Sequence, residues 1–298
     1  MRIEILDLEF QQAQQVIASF LLFGDDGPVL VETGPGSTLS ALISALASHG
    51  VAPGDVRHVL LSHIHLDHAG AAGWWAQQGA QIYVHPRGAP HLVDPSKLLA
   101  SAQRIYGDRM DSLWGEILPA PSERVTAVGD GEVIDAGGLG FVAIETPGHA
   151  RHHHAYALGD VAFVGDAMGI RIPGSDWLDL PAPPPEFDLE TWKETLIVLE
   201  GKKFATVYRT HFGPSSEVSS EADRLAGILD ETTGFVGTLV DRELGREEML
   251  TTFEGWVRGR LSEAGADDER VQLYEVVNPR GMSVDGIVRY WRKRVDRA

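Results

Sequence analysis

Short apolar runs recur along this chain, and several end in glycine beside a histidine or an acid. Residues 1–7 alternate apolar and charged side chains, the period of a half-buried first strand rather than a signal peptide. The runs at 29–31, 59–61, 81–84, 141–144, 161–164 and 205–208 have the length and composition of buried strands. Residues 38–49 put Leu39, Leu42, Ile43 and Leu46 on one helical face, with Ser37 as the expected cap and Gly50 as the stop. Residues 69–75, small side chains followed by two tryptophans, predict a closely packed helix that Gly79 ends. Asp188 is expected to cap another helix, with Trp192, Leu196 and Leu199 as its buried stripe. Beyond Ser219 and Ser220 the pattern turns helical over 221–246, 247–264 and 282–295. The stretches 24–34 and 159–169 share a turn, an apolar strand, an acid and a glycine, which points to an internally duplicated αββα sandwich. The expected organisation is α/β over 1–217, with a helical extension over 218–298.

Candidate chemistry concentrates in His63-Ile64-His65-Leu66-Asp67-His68. Imidazole and carboxylate together suit zinc, iron or manganese. Alternation lets His63 and His65 point the same way, while Asp67 and His68 sit where the chain turns. Packed together without a metal, three imidazoles and a carboxylate would be a poor structural choice, because buried polar groups need partners. Three later strand ends offer more donors: Thr146-Pro147-Gly148-His149, Gly165-Asp166 and Thr210-His211-Phe212-Gly213.

Taken in order, HxHxDH, TPGH, GD and THFG resemble the metallo-β-lactamase superfamily over roughly residues 20 to 215. The resemblance implies that His63, His65 and His149 hold a first metal. It implies that Asp67, His68 and His211 hold a second, with Asp166 bridging both. A cysteine-ligand branch is disfavoured, since the chain has no cysteine and carries Asp166 instead. His65 stands where flavodiiron-type relatives usually have glutamate. Thr146 to His149 followed by His153 is similar to the glyoxalase II and lactonase-like branch, but the run Ala150-Arg151-His152-His153-His154 departs from its usual Gly-His pair. Glu32 falls where relatives often have aspartate; a group supporting the ligands and a plain strand-end acid are both open readings.

Composition narrows the class. Hydrophobic residues make up 43% and charged residues 23%, the balance of a soluble globular protein. No apolar run approaches the roughly twenty residues of a membrane span, so no membrane role is expected and the cytoplasm is the default location. A net charge of −18 disfavours nucleic acid as a partner. The basic stretch 289–294 is read as a terminal amphipathic helix docking on the body. Trp256 and Val257 offer a surface for a homodimer, and the segments 85–95 and 172–185 are expected as walls of a pocket.

The expected function is therefore a binuclear hydrolase of a small ester, thioester or lactone, with two divalent ions, zinc first and manganese or iron as alternatives. A bridging hydroxide would attack, and Asp67 would serve as the catalytic residue that orients it. The alternatives are a phosphodiesterase or nuclease of the same fold, a mononuclear-iron dioxygenase acting on a thiol or persulfide, and a non-catalytic sensor.

Overall fold

The computed structural model describes residues 2–295; Met1 of the expected first strand lies outside them. The chain divides into two compact units. One takes the chain up to Glu145 together with His152–Gly165, and the other takes Thr146–Arg151 together with the chain from Asp166 onward.

In the first unit, one sheet runs β1 (Ile3–Asp7), β2 (Ala18–Gly24), β3 (Gly27–Val31), β4 (His58–Leu60), β5 (Gln81–Val84), β6 (Val125–Ala127) in spatial order. The first pairings are antiparallel, while β3 with β4, β4 with β5 and β5 with β6 are parallel. β2 is buried without alternation over its first five residues, four apolar side chains and Ser19, as expected of a strand covered on both faces. Against it lies an antiparallel array of β7 (Val133–Ala136), β8 (Leu139–Glu145), β9 (His154–Leu158) and β10 (Val161–Gly165). Phe20 on β2 meets Phe163 on β10 at a ring distance of 5.3 Å, and Tyr156 on β9 donates its hydroxyl to the Leu61 carbonyl at 2.9 Å. Those contacts set the spacing of the two layers.

The helices of this unit are α1 (Leu39–Ser48), α2 (Leu66–Ala69), α3 (Ala72–Gln77), α4 (Ala89–Val93), α5 (Ser96–Tyr106) and α6 (Met110–Trp114). Ser37 does not cap α1. Its hydroxyl donates to the Leu113 carbonyl at 2.6 Å, and Thr38 takes the cap position with its own hydroxyl turned back to the Pro35 carbonyl rather than capping the helix. The helix expected over 69–75 begins earlier and is cut in two between α2 and α3, where Gly70 lies so close to Pro35 that a Cβ would fall 2.9 Å from its Cα. Within the segment expected as a pocket wall over 85–95, residues 89–93 form α4.

The second unit contains the hairpin β11 (Thr206–Arg209) and β12 (Gly213–Ser215), then α7 (Leu189–Gly201), α8 (Val218–Asp241), α9 (Arg246–Glu263), α10 (Asp268–Val277) and α11 (Arg280–Val295). The Asp188 carboxylate accepts the Thr191 amide at 3.1 Å and caps α7, whose Trp192, Leu196 and Leu199 are buried as the spacing predicts. On α8, Ala222, Leu225, Leu229, Val236 and Leu239 form the buried stripe. α10, capped by Asp267, is absent from the expected helices because its short pattern lacks a continuous apolar face. Tyr290 and Trp291 of α11 are engaged within this unit, donating to Glu190 Oε1 and the Thr233 carbonyl at 2.8 Å each, so the aromatics of the basic stretch serve docking of that helix. Val257, read above as an interface residue, is buried in its own chain at 2% exposure, and Trp256 stacks on Phe235 at 4.7 Å. Among the described residues, no helix is long and apolar enough to cross a membrane.

Candidate metal centre

Each unit gathers its own set of metal-capable side chains. In the first, β4 ends at Leu60 and the chain leaves the sheet with its next amides satisfied from neighbouring elements: Leu61 donates to Tyr83 and Ser62 to the Glu32 carboxylate. His63 follows with no solvent exposure. Its Nδ1 lies 3.0 Å from the Ser62 hydroxyl, so its Nε2 is turned toward His65 Nδ1, 2.8 Å away. His65 precedes α2, which places Asp67 and His68 in one turn. His68 Nδ1 is 3.4 Å from Glu32 Oε1, which leaves Nε2 on the side of Asp67, 3.7 Å from Oδ2. The ring of His63 lies 4.5 Å from that of His65 and 4.0 Å from that of His68. Four donors from six residues thus converge, as their spacing predicts.

Two features hold this cluster. The His68 carbonyl accepts from the amides of Thr33 and Gly34 and from the Thr33 hydroxyl, which ties α2 to the end of β3. Glu32 sits beside them with a left-handed φ of 65° and 1% exposure, its carboxylate against His68 and Ser62. A non-glycine residue in that conformation is held by its surroundings, and here the surroundings are ligand candidates. Glu32 therefore orients His68, and of its two open readings the supporting group is the one the geometry favours.

His152 and His153 also approach His63, with ring distances of 6.0 and 4.9 Å. At Gly165 an added Cβ would lie 2.5 Å from the Ser62 hydroxyl and 2.7 Å from His153 Nε2. Only glycine fits that approach. His154 lies instead beside His85, the two rings tilted at 45° to one another. Tyr106 on α5 is a residue that motif reading missed. Burial pushes its phenol well above the ordinary value, and the charge of Asp67 adds to the effect.

In the second unit, Asp166 lies between two imidazoles. His149 Nε2 is 3.3 Å from Oδ2 and His211 Nε2 is 3.5 Å from Oδ1. The other ring nitrogen of His149 is 2.8 Å from the Pro181 carbonyl, which can only accept, so Nδ1 carries the proton. In the neutral ring, Nε2 then presents a lone pair to a carboxylate oxygen. Two facing acceptors repel unless a cation or a proton stands with them, and this is the arrangement expected of groups that ligate a metal. The Pro181 carbonyl comes from the proline-rich segment 172–185, expected as a wall of the site, and nothing in its sequence signals a role in orienting His149. Gly148, with φ 129°, is required here because a Cβ would fall 2.3 Å from the Trp192 backbone.

The support for His211 is electrostatic. Arg209, just before it on β11, is 1% exposed and pairs with the fully buried Glu221 of α8, which also takes Arg171. Burial alone would push the Glu221 carboxyl up, but the two guanidiniums outweigh it and hold the group below the ordinary carboxylate range. His and Asp from both clusters are donors suited to zinc, manganese or iron and are among the side chains that could hold metal ions.

Comparison with known proteins agrees with this reading. Residues 14–211 match the family described as the metallo-β-lactamase superfamily. The chain is 30% identical over 169 residues to the metallo-β-lactamase fold-containing protein ST1585 of Sulfurisphaera tokodaii, covering 54% of this chain and 64% of that protein. It is 31% identical over 149 residues to a hydroxyacylglutathione hydrolase of Stenotrophomonas maltophilia, covering 50% of this chain and 45% of that protein. The matched regions thus span less than two thirds of either relative. Among solved structures, the metallo-β-lactamase family protein TTHA1429 of Thermus thermophilus superposes with a TM-score of 0.70 at 22% identity, over 98% of this chain and 94% of that one. That likeness extends the shared fold through the C-terminal helical region.

Proposed function

This chain belongs to the metallo-β-lactamase superfamily, and from that premise we propose that it is a binuclear metal-dependent hydrolase of a small ester, thioester or lactone, acting in the cytoplasm. His63, His65 and His149 are assigned to one divalent ion and Asp67, His68 and His211 to the other, with Asp166 shared. Zinc is the preferred ion, with manganese or iron as alternatives. The observation that carries the reading is Asp166 flanked at 3.3 and 3.5 Å by two imidazole nitrogens, one of which has its proton committed to the Pro181 carbonyl on the far side. The donor set fits divalent ions, and such ions supply Lewis-acid activation of water and of the scissile group.

The residues of the chain supply the rest. Asp67 is 22% exposed at its side chain, against complete burial of His68, so it is the acid of the local cluster open to an incoming substrate. It receives the proton of the attacking water on one carboxylate oxygen and passes it to the leaving group. Glu32 keeps His68 turned toward Asp67, and Pro181 keeps His149 turned toward Asp166. The resemblance to a hydroxyacylglutathione hydrolase favours a thioester within the substrate class. The net charge of −18 favours a small substrate over a nucleic acid.

Elemental analysis of the purified protein combined with a screen of ester, thioester and lactone hydrolysis tests the proposal. Close to two zinc or manganese ions per chain, with turnover that Asp67→Asn removes, is the expected result. One iron per chain with oxygen uptake on thiols and no hydrolysis would replace it with the dioxygenase reading.

A further inference from the structure

A second group of metal-capable side chains lies inside the first unit, made of residues that the hydrolytic assignment does not use. Glu145 ends β8 and stands directly opposite His154, the first residue of β9, in the antiparallel register. Residues so paired project from the same face of a sheet. His85 follows β5 in the other sheet, and its ring centroid is 4.6 Å from that of His154. His85 Nε2 is 3.2 Å from Glu145 Oε1. One ligand atom from each of the three residues lies within 4.8 Å of the others.

His154 gives the group its significance. It has no solvent exposure, yet neither Nδ1 nor Nε2 meets a donor or acceptor among the described residues. A neutral imidazole has one N–H and one lone pair, and buried polar atoms of this kind are almost always partnered. Burial, with the neighbouring His85 as a smaller cause, holds its pKa down at about 3, so the lone pair is available at neutral pH. Glu145, by contrast, is half exposed, which opens the group to solvent from one side. Asp130 adds negative charge close by, accepting the Glu145 amide at 2.8 Å.

We propose that His85, Glu145 and His154 form a separate binding site for a divalent transition-metal ion of the zinc, cobalt or nickel type. Two imidazoles and a carboxylate are the donor set such ions prefer, and the lone pair of His154 gains the partner that the fold leaves out. The ion binds at a cost. His85 Nδ1 accepts the Arg87 amide at 3.0 Å, so without an ion the ring proton sits on Nε2, facing Glu145. Ligation through Nε2 moves that proton to Nδ1 and removes the acceptor from the Arg87 amide. The site is therefore weaker than one whose lone pairs are all preset, and it fills after tighter sites.

The test is Zn2+ uptake by the full chain after stripping with a chelator, followed by equilibrium dialysis over a range of free zinc, read as equivalents bound. The wild type is expected to bind one weaker equivalent that His154→Gln lacks, with the tighter equivalents unchanged. Glu145→Gln, a half-exposed position where folding is not at risk, is expected to weaken that same equivalent by about tenfold or more. The readout does not depend on turnover, so failure of the hydrolase proposal leaves it intact. Equal zinc uptake by the wild type and Glu145→Gln at every concentration would overturn the proposal and leave His154 as a buried neutral ring, and this variant decides the matter alone if His154→Gln does not fold.

Discussion

The two clusters of metal-capable side chains are built in opposite ways. The first takes four donors from six consecutive residues at the end of β4 and the start of α2, so local geometry does most of the work. The second takes His149, Asp166 and His211 from three separate stretches, and the two histidines depend on more distant groups for their placement. His149 needs the Pro181 carbonyl, and the strand before His211 needs the buried pair of Arg209 with Glu221. The dense motif still leans on Glu32 and Thr33 at the end of β3, but its side chains arrive together, whereas the dispersed one is only as well placed as the separate elements that carry it.

The largest break in that comparison is expected at the candidate ligands themselves. Asp67→Asn should lower hydrolytic turnover by about a thousandfold or more while leaving the melting temperature within a few degrees, because the side chain is partly exposed and isosteric with its replacement. Activity and thermal melts on the same preparation check both halves of that statement.

Next comes the scaffold of the dispersed cluster. Glu221→Gln leaves Arg209 buried beside a neutral group, and breaking a buried pair costs about 3–5 kcal/mol. Urea unfolding should show that loss, and metal content should fall with it. Glu32→Gln, the corresponding support of the dense cluster, should weaken metal binding by about 10–100-fold with a smaller change in stability. If Glu32→Gln destabilised the fold as much as Glu221→Gln, the contrast between the clusters would be lost.

A pH experiment isolates a region that belongs to neither cluster. His154 has its folded pKa depressed to about 3 from an ordinary value of 6.5, by burial first and by His85 second, with Asp130 opposing. The unfolded chain binds the extra proton between those values, so stability falls as pH drops from about 6.5 toward 3. In His154→Gln the part of this acid sensitivity due to the ring should be absent, seen as a flatter dependence of the urea midpoint on pH. Smallest of all, Asp188→Ala removes the cap of α7 and should cost about 1 kcal/mol, with little effect on metal content.

How much is legible in the sequence follows the same division. All seven candidate ligands can be named from spacing and resemblance, and the strands that precede them can be placed within a residue or two. The supports cannot. Pro181 acts through its backbone carbonyl, which every residue possesses. Tyr106 approaches Asp67 from α5, a helix whose apolar positions are too sparse along the chain to announce it. Ser37 has the chemistry of a cap, yet the Leu113 carbonyl is a competing partner that only the fold brings within reach.

The α/β class, the candidate ligands and the buried stripes of the helices could be read along the chain, because period, chain order and residue chemistry are local properties. Packing alone fixes which nitrogen of His63, His68 and His149 faces the other candidate ligands, which way Glu32 turns, and that His154 is sealed beside His85 and Glu145. His68 takes its orientation from Glu32 and His149 from the Pro181 carbonyl, partners tens of residues away, and the pairing of distant polar groups is set by how the layers pack rather than by any pattern along the chain.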